Sequence, residues 1–167
     1  MKFNSVKEYF YRLNSIGYQC MMLPLILFIL FFGQSAFAVL PLLLTNNTWF
    51  DSVFWAVVGL TVISLTTVQF IHFRQANAIG RKVGLGLKLE EYADLAIKKM
   101  KWISVMTSLV ALSLFLTGDI RLAITFVVIL LYFFTQWPSP KTVARQLHLR
   151  GDEQKMVVTR GEAFKGL

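Results

Sequence analysis

Four long stretches without a charged residue constrain this chain more than any other feature of its sequence. They are residues 20–44, 52–73, 102–118 and 122–137. A helix needs roughly 20 apolar residues to cross the hydrocarbon core of a bilayer. The first two stretches exceed that length, whereas the last two are marginal, at roughly 24–25 Å each for 1.5 Å of rise per residue. Charged residues make up only 16% of the chain, against about a quarter in soluble domains. The sequence therefore predicts an integral membrane protein.

The stretch 20–44 also has the features of a cleavable signal peptide. Ala36, Phe37 and Ala38 have the small-x-small form that signal peptidase cuts, and they follow a basic arm and an apolar run. The apolar region of a signal peptide runs about 7–15 residues and stops at the cut, but here it resumes through residues 39–44. We therefore expect a retained first helix, since cleavage would leave only three spans.

The basic residues are distributed unevenly between the connecting segments. Sixteen of the 17 lysines and arginines lie in residues 1–19, 74–101 and 138–167. The two other connections, 45–51 and 117–121, contain a single basic residue, Arg121. Loops rich in lysine and arginine stay on the cytoplasmic side of the membrane. The count predicts cytoplasmic N- and C-termini, as expected for a bacterial inner-membrane protein.

These features predict an all-α fold: an integral membrane four-helix bundle of two transmembrane hairpins with amphipathic cytoplasmic helices. In chain order, the predicted parts are a cytoplasmic arm (1–19), a first hairpin (20–73), a cytoplasmic loop and helix (74–101), a second hairpin (102–137) and a basic cytoplasmic tail (138–167). The second hairpin either spans fully or is re-entrant, because roughly 25 Å is short of a typical core of about 30 Å.

The net charge of +8 has a simple explanation in a membrane protein. Basic residues beside spans are attracted to anionic headgroups, by about 1 kcal/mol each near the surface. The expected partners are therefore an anionic bilayer and further copies of the chain or other membrane subunits, and no nucleic acid.

The first segments contain patterns that predict local structure. Residues 2–19 place apolar side chains at helical spacing with charges between them. This predicts an amphipathic helix on the inner leaflet, before the chain turns into the bilayer. In the first span, Pro24 and Pro41 each remove a backbone donor. A kink or a helix end is expected at both prolines.

The later segments contain a turn, a long helix and a stop signal. Three glycines in residues 80–86 predict a turn. A phosphate-binding glycine loop is not expected, because it needs Gly-Lys-Ser/Thr at its end or a preceding strand, and neither is present. Residues 87–102 are helical in pattern, with acids before bases, and we expect this helix to run on into the third span. The prolines of 137–140 end the fourth span. Short helices are expected from Pro140 and from Asp152.

Small and hydroxyl-bearing side chains recur along the second and third spans. They are Ser52, Ala56, Gly59, Thr61, Ser64, Thr66, Ser104, Ser108 and Ala111. Small residues let helix backbones approach closely, so we expect the two spans to pack along them. A water-lined path is the alternative. Packing is favoured because serine and threonine in spans commonly bond to their own backbone.

The helix 87–102 and the tail present charged and aromatic side chains to the cytoplasm in this topology. The candidates for contact with a partner are Glu91, Tyr92, Asp94, Lys98 and Arg145.

Residues that could carry catalysis are sparse. The central two-thirds of each predicted span contains no acidic, basic or histidine residue, although ion-coupled transport usually needs one there. The single cysteine, Cys20, excludes an intrachain disulfide and a multi-cysteine zinc site, and both histidines, His72 and His148, lie outside the span interiors. The acidic residues of 90–94 have the spacing of an exposed helical face. We predict no catalytic, cofactor-binding or metal-binding residue.

Three functions remain compatible with the sequence. The favoured one is a non-enzymatic subunit or scaffold of a membrane complex that acts through helix packing and a basic cytoplasmic face. The second is a small uncoupled channel or transport subunit with a Ser/Thr-lined path. The third is a membrane enzyme that acts on lipid at the cytoplasmic interface through Cys20, His72 or the acidic residues of 90–94.

Overall fold

The computed structural model describes residues 5–37 and 47–159, and it describes the side chains of these residues except 35–37 and 47–50. This part of the chain is all-α and contains no strand. Its six helices are α1 (Val6–Phe37), α2 (Asn47–Gly80), α3 (Leu85–Thr117), α4 (Ile120–Thr135), α5 (Pro140–Gln146) and α6 (Gly151–Val158). Several predicted features lie outside the described residues: the end of the first span with Pro41, the start of the arm, and the last eight residues of the tail.

Three of the described helices, α1, α2 and α3, are long and apolar enough to cross a membrane. Helix α4 has 16 residues, or about 24 Å. It passes the same test only together with α5, and the two are bent by 76° at the break between them. The structure therefore supports an integral membrane protein with three spanning helices, or four if the bent pair forms one span.

Helix α1 continues through Pro24, which does not end it. A proline has no backbone N–H, so the carbonyl of Cys20, four residues earlier, loses its helical donor. The Ser104 Oγ of α3 donates a hydrogen bond of 2.6 Å to that carbonyl. A hydroxyl from a neighbouring helix is a usual way to satisfy a carbonyl freed by proline in a span. The predicted arm and the first span form one helix from Val6 onward, without a turn between them.

The connection between α2 and α3 is shorter than predicted. Helix α2 runs seven residues past the apolar stretch 52–73, to Gly80, and α3 begins at Leu85. The predicted glycine turn is confirmed and narrows to four residues, 81–84, in which Gly84 has a φ of 96°. The predicted helix 87–102 is confirmed as the first part of α3, which continues without a break to Thr117.

The other boundaries shift by a few residues. Residues 47–51, predicted as part of a connection, are helical in α2. Between α3 and α4 only Gly118 and Asp119 are non-helical, and the Asp119 carboxylate caps α4 by accepting a hydrogen bond from the Arg121 N–H. The predicted tail helices are confirmed. Helix α5 begins at Pro140 behind the capping residue Ser139, and α6 begins one residue earlier than expected.

The chain divides into two compact units. Unit 1 comprises Met1–Tyr18, Val68–Lys99 and Trp137–Leu167. Among the described residues, it holds twelve lysines and arginines. All three segments contribute side chains to its core. The larger buried ones are Tyr9, Phe10, Leu13, Leu89, Tyr92, Val143, Leu147 and Val157. The arm, the middle segment and the tail thus form one helical body.

Unit 2 comprises Gln19–Thr67 and Met100–Gln136. Its only lysine and arginine among the described residues are Lys101 and Arg121. Stacked aromatic rings join its helices, with centroids 4.1 Å apart for Phe28 and Phe126. Large apolar side chains cover much of its surface. They include Ile26, Ile29, Leu30, Trp55, Ile63, Ile124, Val128 and Leu131. Such an apolar surface suits contact with lipid.

Helix α3 is the most enclosed of the three long helices. Of the 18 consecutive residues that make up its most apolar part, 56% are buried in the structure. The corresponding shares are 11% for α1 and 6% for α2. The two other helices therefore leave most of these residues at least partly exposed. In α2, this leaves a long helix face open to lipid or to another helix.

Candidate functional site

A groove of about 320 Å³ lies in unit 1 between the last two turns of α2 and the first part of α3. Its lining residues are Gln75, Ala78, Ile79, Lys82, Glu91, Asp94, Leu95 and Lys98. Three of the predicted partner-contact residues, Glu91, Asp94 and Lys98, therefore come together in one place. The volume lies at the lower end of the range typical of ligand sites, about 300–1,000 Å³.

An ion pair lies at the end of the groove beside the turn between the two helices. The Lys82 Nζ lies 2.6 Å and 2.7 Å from the two carboxylate oxygens of Glu91. Both side chains are substantially exposed, at 51% and 39%, so the pair contributes no more than about 1 kcal/mol. Its effect is to hold the two charges against each other at one end of the groove.

The floor of the groove is apolar, whereas its rim is charged. Ile79 and Leu95 are buried, with 7% and 9% of their surface exposed. Asp94 and Lys98 are exposed and stand one helical turn apart on α3. Apolar floors with a few polar groups at fixed positions are typical of binding sites.

Tyr92 has a different environment from the other partner-contact candidates. It is 2% exposed, and its hydroxyl donates a hydrogen bond of 2.6 Å to the Gln146 Oε1 of α5. Its ring and that of the buried His72 are nearly perpendicular, with centroids 5.7 Å apart. Tyr92 is therefore a core residue that attaches the tail to α2 and α3, and the single chain does not present it to a partner.

The tail is attached at further points of unit 1. The Lys88 Nζ contacts the Glu153 Oε2 of α6 at 2.9 Å. A Cβ added at Gly80 would lie 2.8 Å from the carbonyl oxygen of Leu147, so only glycine allows the tail backbone to approach this closely. Arg145 is exposed on α5, and it remains available for the predicted contact.

The start of α1 is joined to the segment after α4. The Trp137 Nε1 donates a hydrogen bond of 3.0 Å to the Asn14 Oδ1, and its ring lies 4.9 Å from that of Tyr18. Sequence reasoning missed Asn14 and Gln146 as bonding partners. A single amide among charged neighbours carries no periodic signal that would reveal its partner.

The predicted packing residues of α2 and α3 differ in exposure. Ser104 and Ala111 of α3 are buried. Ser52, Ala56 and Thr66 of α2 are exposed, and Gly59 has no neighbour within 4 Å of the position of a Cβ. Within a single chain, these four α2 residues are not enclosed, whereas Thr61 of the same helix is buried. The predicted packing of α2 against α3 along the whole set stays a prediction.

Several of the hydroxyl groups on these helices bond within their own helix, whereas that of Ser104 bonds to α1. Thr61 donates to the Val57 carbonyl at 2.8 Å, and Thr66 donates to the Val62 carbonyl at the same distance. Ser108 bonds in the same way to the Ser104 carbonyl. Ser64 is half-buried. This pattern agrees with the reason for which packing was favoured over a water-lined path.

A charged cluster lies at one end of unit 2. The Arg121 Nη2 lies 2.7 Å from both Asp51 Oδ1 and Asp119 Oδ2, and the guanidinium carbon is 4.7 Å from the centroid of the Phe54 ring. Hydrogen bonds from the Arg121 side chain hold the pKa of the Asp119 carboxyl below its ordinary value, with the cap bond from the Arg121 N–H adding to this. The cluster joins the start of α2 to the start of α4.

Across residues 5–37 and 47–159, no group of three or more His, Cys, Asp or Glu side chains could hold a metal ion. The groove is lined by two lysines, two carboxylates and apolar side chains, and its Lys82 and Glu91 pair with each other. No protein-family model, no curated protein sequence and no solved structure matches this chain.

Proposed function

We propose that this chain is a non-enzymatic subunit or scaffold of a complex in the bacterial inner membrane, with unit 1 on the cytoplasmic side. One observation carries the proposal: the three basic segments, far apart in sequence, belong to one compact unit. Segments that share a core lie on one side of a bilayer. This grouping therefore supports the two transmembrane hairpins and the same-side termini that the positive-inside rule predicts.

The proposed contact surface inside the membrane is the exposed face of α2, and the proposed occupant is a second copy of the chain. Helices associate in lipid through close packing of small residues rather than through the hydrophobic effect. Ser52, Ala56, Gly59 and Thr66 provide such a face, and the monomer leaves it open. Two-fold dimers, in which the same face meets itself, are the commonest assemblies of identical chains.

The experiment replaces Gly59 with leucine and measures the monomer–dimer equilibrium by energy transfer between labelled chains in liposomes. A Cβ added at Gly59 meets nothing within 4 Å in the monomer, so we expect Gly59→Leu to retain the fold while it blocks the close approach of two α2 helices. We expect dimerisation to weaken about ten-fold, which corresponds to about 1.4 kcal/mol. Val128→Leu on the exposed face of α4 is the matched control. An unchanged equilibrium in both Gly59→Leu and Ala56→Leu would contradict the proposed surface.

The orientation has its own test. Reporter fusions are expected to place residue 160 in the cytoplasm and residue 47 outside. The opposite result at either position would reject the proposed topology.

The channel alternative receives less support. A water-lined path needs hydroxyl groups that face water, whereas Thr61 is 2% exposed and bonds to its own helix. Flux through reconstituted protein that is abolished by bulky substitutions at Thr61 or Ser64 would favour the channel over the scaffold.

A further inference from the structure

We propose that two copies of the chain pair along α2 as a parallel, in-register coiled coil whose last part lies in unit 1. This pairing rests on the dimer proposed above, and it adds the geometry of that dimer and a cytoplasmic part. Its contact surface, the heptad seam, consists of eight positions separated alternately by four and three residues. They are Ser52, Ala56, Gly59, Ile63, Thr66, Phe70, Phe73 and Asn77.

The single chain leaves the heptad seam uncovered. Six of its eight residues are exposed, and Asn77 is half-buried. A Cβ added at Gly59 would meet nothing within 4 Å. The large apolar members Ile63, Phe70 and Phe73 keep 67%, 60% and 59% of their surface exposed. A surface with this much exposed apolar area is covered by lipid or by another helix.

The heptad seam lies on the side of α2 that faces away from the rest of the chain. Among the described side chains, the buried residues of α2 are Thr61, His72, Ala76 and Ile79. At 100° per residue, the centre of the seam is about 150° around the helix from the centre of these four. Helix α2 is continuous over Asn47–Gly80. It can therefore contact its own chain on one side and a second copy on the other.

The spacing of the heptad seam fits the pairing of two helices. Small and apolar residues that recur every 3.5 positions bring two α-helices together in a left-handed coiled coil, crossing at about 20°. Helices at this shallow angle stay in contact over many turns, whereas a right-handed pair at about −40° separates on both sides of one crossing point. The seam spans about 38 Å from Ser52 to Asn77, for 1.5 Å of rise per residue. The contact therefore continues beyond the apolar stretch 52–73.

Asn77 favours an identical partner. Together with Ala56, Ile63 and Phe70, it occupies the a positions of the heptad, and a single asparagine at an a position fixes the register of a coiled coil. Its amide both donates and accepts, so two Asn77 side chains that face each other across a two-fold axis satisfy each other. Copies inserted in the same orientation have parallel α2 helices, as this match requires. Lipid tails offer no such match, and Asn77 lies four residues beyond the apolar stretch 52–73.

Cysteine cross-linking of the full chain in liposomes tests the heptad seam. In a Cys20→Ser background, single cysteines replace Ile63 in unit 2 and Phe73 in unit 1. Leu60 and Ile71, which are exposed but lie off the seam, are replaced as the matched control in each unit. Disulfides need Cα atoms about 4.4–6.8 Å apart, so we expect about ten-fold more linked dimer from the seam positions than from their controls.

The pattern of links separates the heptad seam from the dimer on which it rests. Links at Ile63 without links at Phe73 would reject the cytoplasmic part, while energy transfer would still report a dimer within the lipid. Links at the control positions as strong as those on the seam would reject its geometry. Absence of links and of energy transfer together would reject the dimer as well. In native membranes, links to a different protein in place of the dimer would overturn the identical partner.

Asn77→Asp tests the register without a cross-link. It places two carboxylates against each other across the two-fold axis, so we expect dimerisation, measured by energy transfer in liposomes, to weaken about five- to ten-fold. Gln75→Glu makes the same change from amide to carboxylate at an exposed position on the other side of α2, and it is expected to leave dimerisation unchanged. Equal effects of the two substitutions would reject the contact at Asn77.

Discussion

The polar side chains of the two units differ in how far along the sequence their hydrogen-bond partners lie. In unit 1, they join separate elements, as Tyr92 does with Gln146 and Lys88 does with Glu153. In unit 2, most hydroxyls donate to the carbonyl four residues earlier in the same helix. These are Thr61, Thr66, Thr67, Thr107, Ser108, Ser113, Thr117 and Thr125.

The difference follows from the surroundings proposed for each unit. In hydrocarbon, an unsatisfied hydroxyl costs several kcal/mol, and the carbonyl one turn back is the acceptor that every helix supplies. In water, a polar group does not need a bond within its own helix, because the solvent satisfies it in the unfolded chain. It can therefore bond to a residue of another segment in the folded protein. For a protein with one unit in lipid, we expect this difference. The hydroxyls of that unit bond within their own helix, and the polar side chains of the other unit bond between segments.

The largest expected contrast concerns two equally buried phenylalanines. Phe10 in unit 1 and Phe126 in unit 2 are each 1% exposed. Phe10→Ala is expected to cost about 3–5 kcal/mol, because it loses transfer from water as well as packing. Phe126→Ala is expected to cost about 1–2 kcal/mol, because lipid is as apolar as the core and only packing is lost. Hydrogen exchange of each unit's amides in a bilayer measures both values. Equal losses would contradict the assignment of unit 2 to lipid.

The next contrast concerns two glycines at either side of the turn 81–84. Gly80→Ala places a Cβ 2.8 Å from the Leu147 carbonyl oxygen, so we expect a loss of about 1–3 kcal/mol from overpacking. Gly86→Ala meets nothing within 4 Å and is expected to gain about 0.5–1 kcal/mol from helix propensity. Thermal unfolding compares the two, and release of the tail by limited proteolysis reports on the Leu147 contact. A gain in both variants would show that the tail does not pack on Gly80.

A double-mutant cycle tests the interhelical bond of unit 2. Ser104→Ala is expected to cost about 1 kcal/mol, because the Cys20 carbonyl, freed by Pro24, loses its donor. In the background of Pro24→Ala, which restores a backbone N–H at position 24, the same substitution is expected to cost almost nothing. Ser108→Ala is the control, since that hydroxyl bonds only within its helix. Unfolding by titrated detergent gives the energies, and an equal cost of Ser104→Ala in both backgrounds would refute the explanation.

The smallest expected effect is a pH dependence at the start of α4. The folded-state pKa of Asp119 lies below its ordinary value of 3.8, chiefly because of hydrogen bonds from the Arg121 side chain. A depressed pKa contributes stability above pH 3.8, and this contribution is lost as the pH falls through the folded-state value. Amide exchange in the first turn of α4, with Asp119→Asn as the comparison, measures it. The wild type is expected to lose protection in acid while the variant stays constant. Parallel acid profiles would contradict the role of Asp119.

The parts of the fold that could be predicted depend on neighbouring residues. The start of α5 follows from Ser139 as a cap and Pro140 in the first turn. The length of α3 follows from an uninterrupted helical pattern. The groove itself was not predicted. Glu91, Asp94 and Lys98 were proposed only as partner-contact residues on a charged helix face, whereas Gln75 and Lys82 belong to residues interpreted as a loop.

The features that could not be predicted depend on residues far apart in sequence. Pro24 predicts an interruption, and only Ser104, on another helix, explains why α1 continues. Gly80 is one of three glycines in a turn motif, and its close approach to Leu147 has no local signal. The exposure of the small residues on α2 also depends on where α3 packs.

The sequence alone determined which segments are apolar and in which connections the basic residues cluster, because hydropathy and charge are properties of the residues themselves and need no partner. The tertiary structure decided that the three basic segments form one body with a groove, and which side chains hold that body together. Its contacts join residues as distant as Asn14 and Trp137. Such pairs exist only once the backbone has brought them within bonding distance.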